Sequence, residues 1–158
     1  MVDITTAGQL MRSWQRCQRL PGGKILFSRK LASRVPYSGS IHPRVDELRP
    51  GYARVRMADR GSLRNHLASI HAIALTNLGE LTSGLAMIAA MPADLRGIPV
   101  ELNIEFTKKA RGEIVAEGSS PTPTSGDSAD YNAEAVLKDK EGDTVARLTA
   151  RWIVSPRD

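Results

Sequence analysis

The spacing of apolar residues changes period along this chain, and each period predicts an element. Between Ala7 and Leu20, the residues Leu10, Met11, Trp14 and Cys17 fall at helical intervals, and Pro21-Gly22-Gly23 stops the run. That predicts a short amphipathic helix. Lys24 to Pro43 shows no clear period, and Pro36, Gly39 and Pro43 cut it into short pieces. Arg44 to Leu48 and Tyr52 to Met57 read as strands joined by the turn Arg49-Pro50-Gly51. A polar stretch, Asp59 to His66, follows. From Ser69 to Ala90 the residues Ile70, Ala74, Leu78, Leu81, Leu85 and Ile88 recur every three or four positions, the longest helical pattern in the chain, and Met91-Pro92 ends it.

The rest of the chain alternates. Val100, Leu102, Ile104 and Phe106 interleave with Glu101, Asn103, Glu105 and Thr107, which predicts a strand with one face buried in the core and one polar. Ile114 to Gly118 makes a shorter strand, and Ser119 to Ser128 a Pro/Ser/Thr/Gly loop. Tyr131, Ala133, Ala135 and Leu137 alternate again. Asp139-Lys140-Glu141-Gly142 turns the chain into a last strand, Thr144 to Val154. Helix, strands, one long helix and four strands predict an α+β fold. An antiparallel sheet of five or six strands wraps the long helix and leaves its outer face for another subunit. No internal repeat interrupts this order.

At 158 residues the chain has the size of one domain, residues 1–158, read as an N-terminal helix and loop (1–43) and a core (44–154). Hydrophobic residues make up 41% of it, enough for a core. Aromatics make up only 4%, which argues against a base-stacking platform and a nucleic-acid partner. The net charge of +5 is scattered, without a block of five like charges, and reads as a soluble surface with a mild basic excess. The single cysteine, Cys17, forms no internal disulfide, and His42, His66 and His71 lack zinc-site spacing, so no metal and no cofactor is expected. The first twenty residues lack the apolar core of a signal peptide, and Leu81 to Met91 is too short to span a bilayer. A cytoplasmic protein with no membrane partner is the expectation.

The chemistry concentrates in one segment, Arg64-Asn65-His66-Leu67-Ala68-Ser69-Ile70-His71-Ala72-Ile73, with Glu80 two turns further on. Asn65, His71 and Glu80 are separated by six and nine residues. This order resembles the signature of hotdog-fold acyl-CoA thioesterases of the phenylacetate-pathway type, where an Asn loop precedes a His-Gly-Gly helix entry and an acid follows. The runs Val35 to Ser40 and Pro43 to Gly51 resemble a less characterised branch with an N-terminal helix and an extra loop. The chain departs from the pattern in having His71-Ala72-Ile73 for His-Gly-Gly, Ala68-Ser69 where a Gly is usual, and Glu for Asp.

The resemblance implies a hotdog fold and hydrolysis of an acyl-CoA or acyl carrier protein thioester. Glu80 would be general base or nucleophile, Asn65 would orient water or the acid, the Ala72 N–H would polarise the carbonyl, and His71 would support the turn. Physical chemistry agrees: an N–H at a helix start is a good oxyanion donor, and a carboxylate on a largely apolar helix is desolvated into a stronger base. Thr76 and Ser83 share a small polar face with Glu80 and could line a slot. Lys108, Lys109 and Arg111 could meet the phosphates of coenzyme A. The resemblance further implies a homodimer, often paired again into a tetramer. Each residue also has a plainer reading: Glu80 as a solvated charge or ion-pair partner, Asn65 as a loop cap, His71 as a structural histidine, and the cluster at Lys108 as a solvated strand edge. Ser69 reads as a helix N-cap, since it has no nucleophile elbow around it. The altered helix entry leaves open a binding module that holds the acyl thioester without turning it over.

Overall fold

The computed structural model describes residues 6–124 and 126–157. Helix α1, Ala7–Gln18, starts on Thr6, whose hydroxyl accepts the Gln9 N–H, and buries Leu10, Trp14 and Cys17. The segment without a clear period is helical for most of its length: α2 runs Gly23–Arg34, followed by the single turn α3, Pro36–Gly39. Only Phe27 and Leu31 of the large apolar residues in α2 are buried, while Ile25 and Leu26 are exposed, so the amphipathic signal is blurred. Trp14 and Phe27 meet edge to face, with centroids 5.1 Å apart, and lock α1 to α2. The Ser28 hydroxyl accepts the Val45 N–H at 2.9 Å and ties α2 to the first strand.

Strands β1 (Arg44–Arg49) and β2 (Tyr52–Met57) form a hairpin. Its turn needs Gly51, which sits at φ +76° behind Pro50. The long helix α4, Ala72–Ala90, follows, then β3 (Leu95–Phe106), β4 (Ile114–Ser119), β5 (Ala129–Lys138) and β6 (Thr144–Pro156). The six strands make one sheet in the order β1-β2-β4-β5-β6-β3, antiparallel at every pairing. The sheet curls around α4, fourteen of whose nineteen residues are buried. At Gly118 the sheet presses so close that a Cβ would lie 2.6 Å from the Thr82 carbonyl oxygen on the helix, which only glycine permits. Residues of α1 and α2 join the same hydrophobic core as α4 and the sheet.

Three local expectations differ from the structure. The helix begins at Ala72, three residues later than the apolar period suggests. The chain turns at Ala68, which sits at φ +54°, and then runs extended through Ile70 and His71, with Ile70 donating to the Ala110 carbonyl and His71 to the Leu63 carbonyl, before the helix starts. The stripe on β3 is not core within one chain. Leu102, Ile104 and Phe106 pair with Ala150, Leu148 and Ala146 and share their concave face. Yet β3 is an edge strand that α4 touches only sparsely, and Val100, Leu102 and Phe106 remain exposed. Finally, α4 as a whole is long and apolar enough to cross a membrane, unlike the shorter run Leu81 to Met91, but it is the enclosed core helix.

Candidate active site

The loop before α4 is held by its own side chains. The Asn65 Oδ1 accepts the N–H groups of Leu67 (2.9 Å) and Ser69 (3.3 Å) and the Ser69 hydroxyl (3.2 Å). Asn65 therefore shapes the turn that carries the left-handed Ala68. Asp59 ties the start of this loop to the neighbouring segment by accepting from Arg64 Nε and the Gly112 N–H, and the Arg64 guanidinium holds its carboxyl below the usual range.

Ser69 is buried in this loop and does not cap the helix. The cap is His71, whose Nδ1 accepts the Ile73 N–H at 3.1 Å. His71 thus organises the helix entry. The Ala72 N–H, at the first helical position, has no acceptor among the described residues, and Ala72 is exposed. An open donor at the positive end of a nineteen-residue helix is what a developing oxyanion needs.

Glu80 lies two turns along α4 and is largely buried, yet no hydrogen bond or ion pair reaches its carboxylate among the described residues. Desolvation by burial pushes its pKa up. The ion-pair reading of Glu80 therefore has no partner behind it. The carboxylate faces a cleft of about 590 Å³ lined by Tyr37, Ile73, Thr76, Asn77, Pro99, Val100, Glu101 and Leu102. Asn77 fixes one wall by donating to the Tyr37 carbonyl at 3.3 Å.

Of the residues singled out in the sequence, Thr76 and Glu80 share this cleft. Ser83 is fully buried, donates to the Glu80 carbonyl and does not line the cleft. Asn65 and His71 stand at the helix entry. Lys108 is engaged by Asp139 and Asp143, both at 2.7 Å, while Lys109 and Arg111 are exposed on either side of Ala110, whose carbonyl holds Ile70. The opposite wall, Val100 and Leu102, was visible in the sequence as alternation but read as core. Tyr37 carries no sequence signal: it reaches the site only because α3 packs on α4.

Ala72 and Glu80 are eight residues apart on one straight element, about 12 Å at 1.5 Å per residue. A reacting carbonyl must lie within about 3 Å of both its base and its donor. Within one chain, the Ala72 N–H and Glu80 therefore stand at separate places along α4, and the exposed apolar side chains of edge strand β3 lie beside Glu80.

A six-stranded antiparallel sheet curled around one long central helix is the hotdog fold, which the chain shares with proteins named thioesterases. The chain belongs to the family DUF4442, a domain of unknown function, whose model matches residues 23–154. No curated protein matches the sequence. Among solved structures, the chain is similar to a structural-genomics protein at 32% identity and TM-score 0.80, over 96% of this chain and 99% of that one. It is also similar to a Pseudomonas aeruginosa protein of unknown function, named a probable thioesterase, at 27% identity and TM-score 0.69, over 87% and 97% of the two chains. A hypothetical thioesterase from Streptococcus pneumoniae, solved with coenzyme A, shares the fold at 20% identity and TM-score 0.65, over 80% and 99%.

Proposed function

We propose that the chain hydrolyses an acyl-CoA thioester, with Glu80 as general base or nucleophile. The observation that carries this reading is the Glu80 carboxylate: desolvated, without a partner, and facing an apolar cleft. As base, Glu80 takes a proton from water while the water oxygen bonds to the thioester carbonyl carbon. The carbonyl oxygen becomes an oxyanion and accepts the Ala72 N–H. Collapse breaks the carbon–sulfur bond, and the proton passes from Glu80 to the departing thiolate, giving carboxylic acid and thiol.

The rise of about 12 Å from Ala72 to Glu80 along α4 supports a site whose donor and base come from two chains. We infer a homodimer, built across the β3 edge, in which Asn65 and Ala72 of one chain face Glu80 of the other. A twelve-residue edge strand with exposed Val100, Leu102 and Phe106 is the kind of edge that proteins cover. Lys109 and Arg111 add positive potential near the helix entry for an anionic substrate. We place the reaction in the cytoplasm, in keeping with a core helix enclosed by its sheet rather than offered to lipid.

A panel of acyl-CoAs tests the reading, with released thiol followed for the natural chain and for Glu80→Gln. Turnover that disappears in the variant supports it. The second reading, a module that binds without turnover, draws on Ile73, which stands 55% exposed where the resembling family has glycine and crowds the approach to the donor. Saturable binding without thiol release would favour that module.

A further inference from the structure

The N-terminal extension differs electrically from the rest of the chain. Residues 1–44 hold eight Lys or Arg and one acid, Asp3, for a formal charge of +7; the other residues hold fourteen bases and sixteen acids, for −2. A cavity of about 830 Å³ lies in this basic part, between α2 and the segment Pro36 to Arg44. Arg29, His42 and Arg44 line it, along with Ile25, Ala32 and Pro43, and no acidic residue does. Neither the Arg29 nor the Arg44 guanidinium has an ion-pair or hydrogen-bond partner among the described residues, and both residues are exposed. At the Ser40 end, Arg60 donates to the Ser40 carbonyl through Nη2, while its Nε is buried with no acceptor.

The groove and the Glu80 cleft lie on either side of α3. Pro36 and Gly39 line the groove, and Tyr37 lines the cleft. A ligand with an anionic, partly apolar head and a flexible arm could occupy both. Free guanidiniums suit phosphates, which they bind in bidentate fashion, and the apolar walls suit a flat ring. A volume of this size falls in the range of small-molecule sites.

We propose that the groove between α2 and β1 binds the phosphorylated adenosine end of a coenzyme A thioester, with Arg29 and Arg44 on its phosphates, while the pantetheine arm crosses α3 toward the cleft. This rests on the proposed thioester reading for its arm and acyl group, but the head group is tested without turnover. Coenzyme A is titrated calorimetrically into the full chain and into Arg29→Gln/Arg44→Gln, with Lys109→Ala/Arg111→Ala for comparison. The expected result is a dissociation constant at least ten-fold higher in the Arg29/Arg44 variant and steeper salt dependence in the natural chain. In turnover, the same variant should raise KM for acyl-CoA at least ten-fold relative to KM for acyl-pantetheine, which lacks the nucleotide. Coenzyme A binding with no turnover of any thioester would leave the groove standing and sink the hydrolase. No binding by the natural chain at millimolar coenzyme A, equal binding by the Arg29/Arg44 variant, or an effect confined to acyl carrier protein substrates would overturn the groove assignment.

Discussion

The Glu80 carboxylate lies over Gly84, one turn further along α4: a Cβ at residue 84 would stand 3.9 Å from Glu80 Oε1 and 3.6 Å from Trp152 Cζ2. Both distances are ordinary contacts, so a methyl fits without displacing either neighbour. Gly84→Ala should stabilise the fold by about 0.5–1 kcal/mol through helix propensity. The methyl also removes water from beside the carboxylate, so the acidic limb of the pH–rate profile should move to higher pH. Thermal unfolding and a pH profile on the same variant check both. A drop in melting temperature would mean that the helix cannot accept the added atom against Trp152.

Glu80→Gln separates a catalytic acid from a structural one. As general base, Glu80 should be worth at least about 100-fold in turnover. Its stability signature has a definite sign. Burial raises the folded pKa above the unfolded value, so the native state holds the proton longer and loses stability as pH rises through and above the unfolded pKa. The glutamine variant escapes that loss. It should melt at or above the natural chain at pH 7 to 8, and the difference should shrink toward pH 4. A variant that melts lower at neutral pH would reveal a stabilising partner for the charge.

What the sequence displayed, and what it hid, follow from the range of the interactions. β1, β2, β5, β6 and most of α4 were readable because each buries an alternating or three-to-four-spaced set against the same core. α2 was hidden because Ile25 and Leu26 face outward, where pattern alone expects apolar residues inside. The β3 stripe alternates as expected, but β3 is an edge strand on which Val100, Leu102 and Phe106 stay exposed, and no local pattern reveals an edge position. At the site, the resemblance singled out Asn65, His71 and Glu80. It could not show that the Asn65 oxygen is already occupied by Leu67 and Ser69, or that His71 rather than Ser69 caps the helix.

The β3 edge should control assembly. Val100→Glu/Leu102→Glu places two carboxylates on a concave strip that is already solvent-exposed in one chain, so the monomer should keep its fold. Covering those charges in an interface without partners is costly. Sedimentation should show the variant as a folded monomer at micromolar concentration; because Val100 and Leu102 also wall the Glu80 cleft, oligomeric state rather than turnover is the readout that tests the edge. A variant that stays dimeric would move the interface away from β3.

Ala72→Pro removes the donor with little else. His71 sits at φ −63° and ψ 139°, a conformation that suits the residue before proline, and the first helical position accepts the ring. The Ala72 N–H has no acceptor among the described residues, so folding should lose no hydrogen bond. Loss of an oxyanion donor typically costs about 3 kcal/mol of barrier, on the order of 100-fold in rate. Ala72→Pro and Glu80→Gln homodimers should therefore both be nearly inactive. Unfolded together and refolded, the two variants pair at random and about half the dimers are mixed. If donor and base come from different chains, a mixed dimer holds one site with both lesions and one with neither. About a quarter of the natural activity should then return, as expected for a two-fold dimer with two sites. If each site were built within one chain, every site in the mixture would carry one lesion and no activity would return. Recovery near a quarter, with exchange verified by differential labelling, is the result that the rise of about 12 Å from Ala72 to Glu80 leads us to expect. Absence of recovery would remove the shared site while leaving Glu80 and the fold where they are.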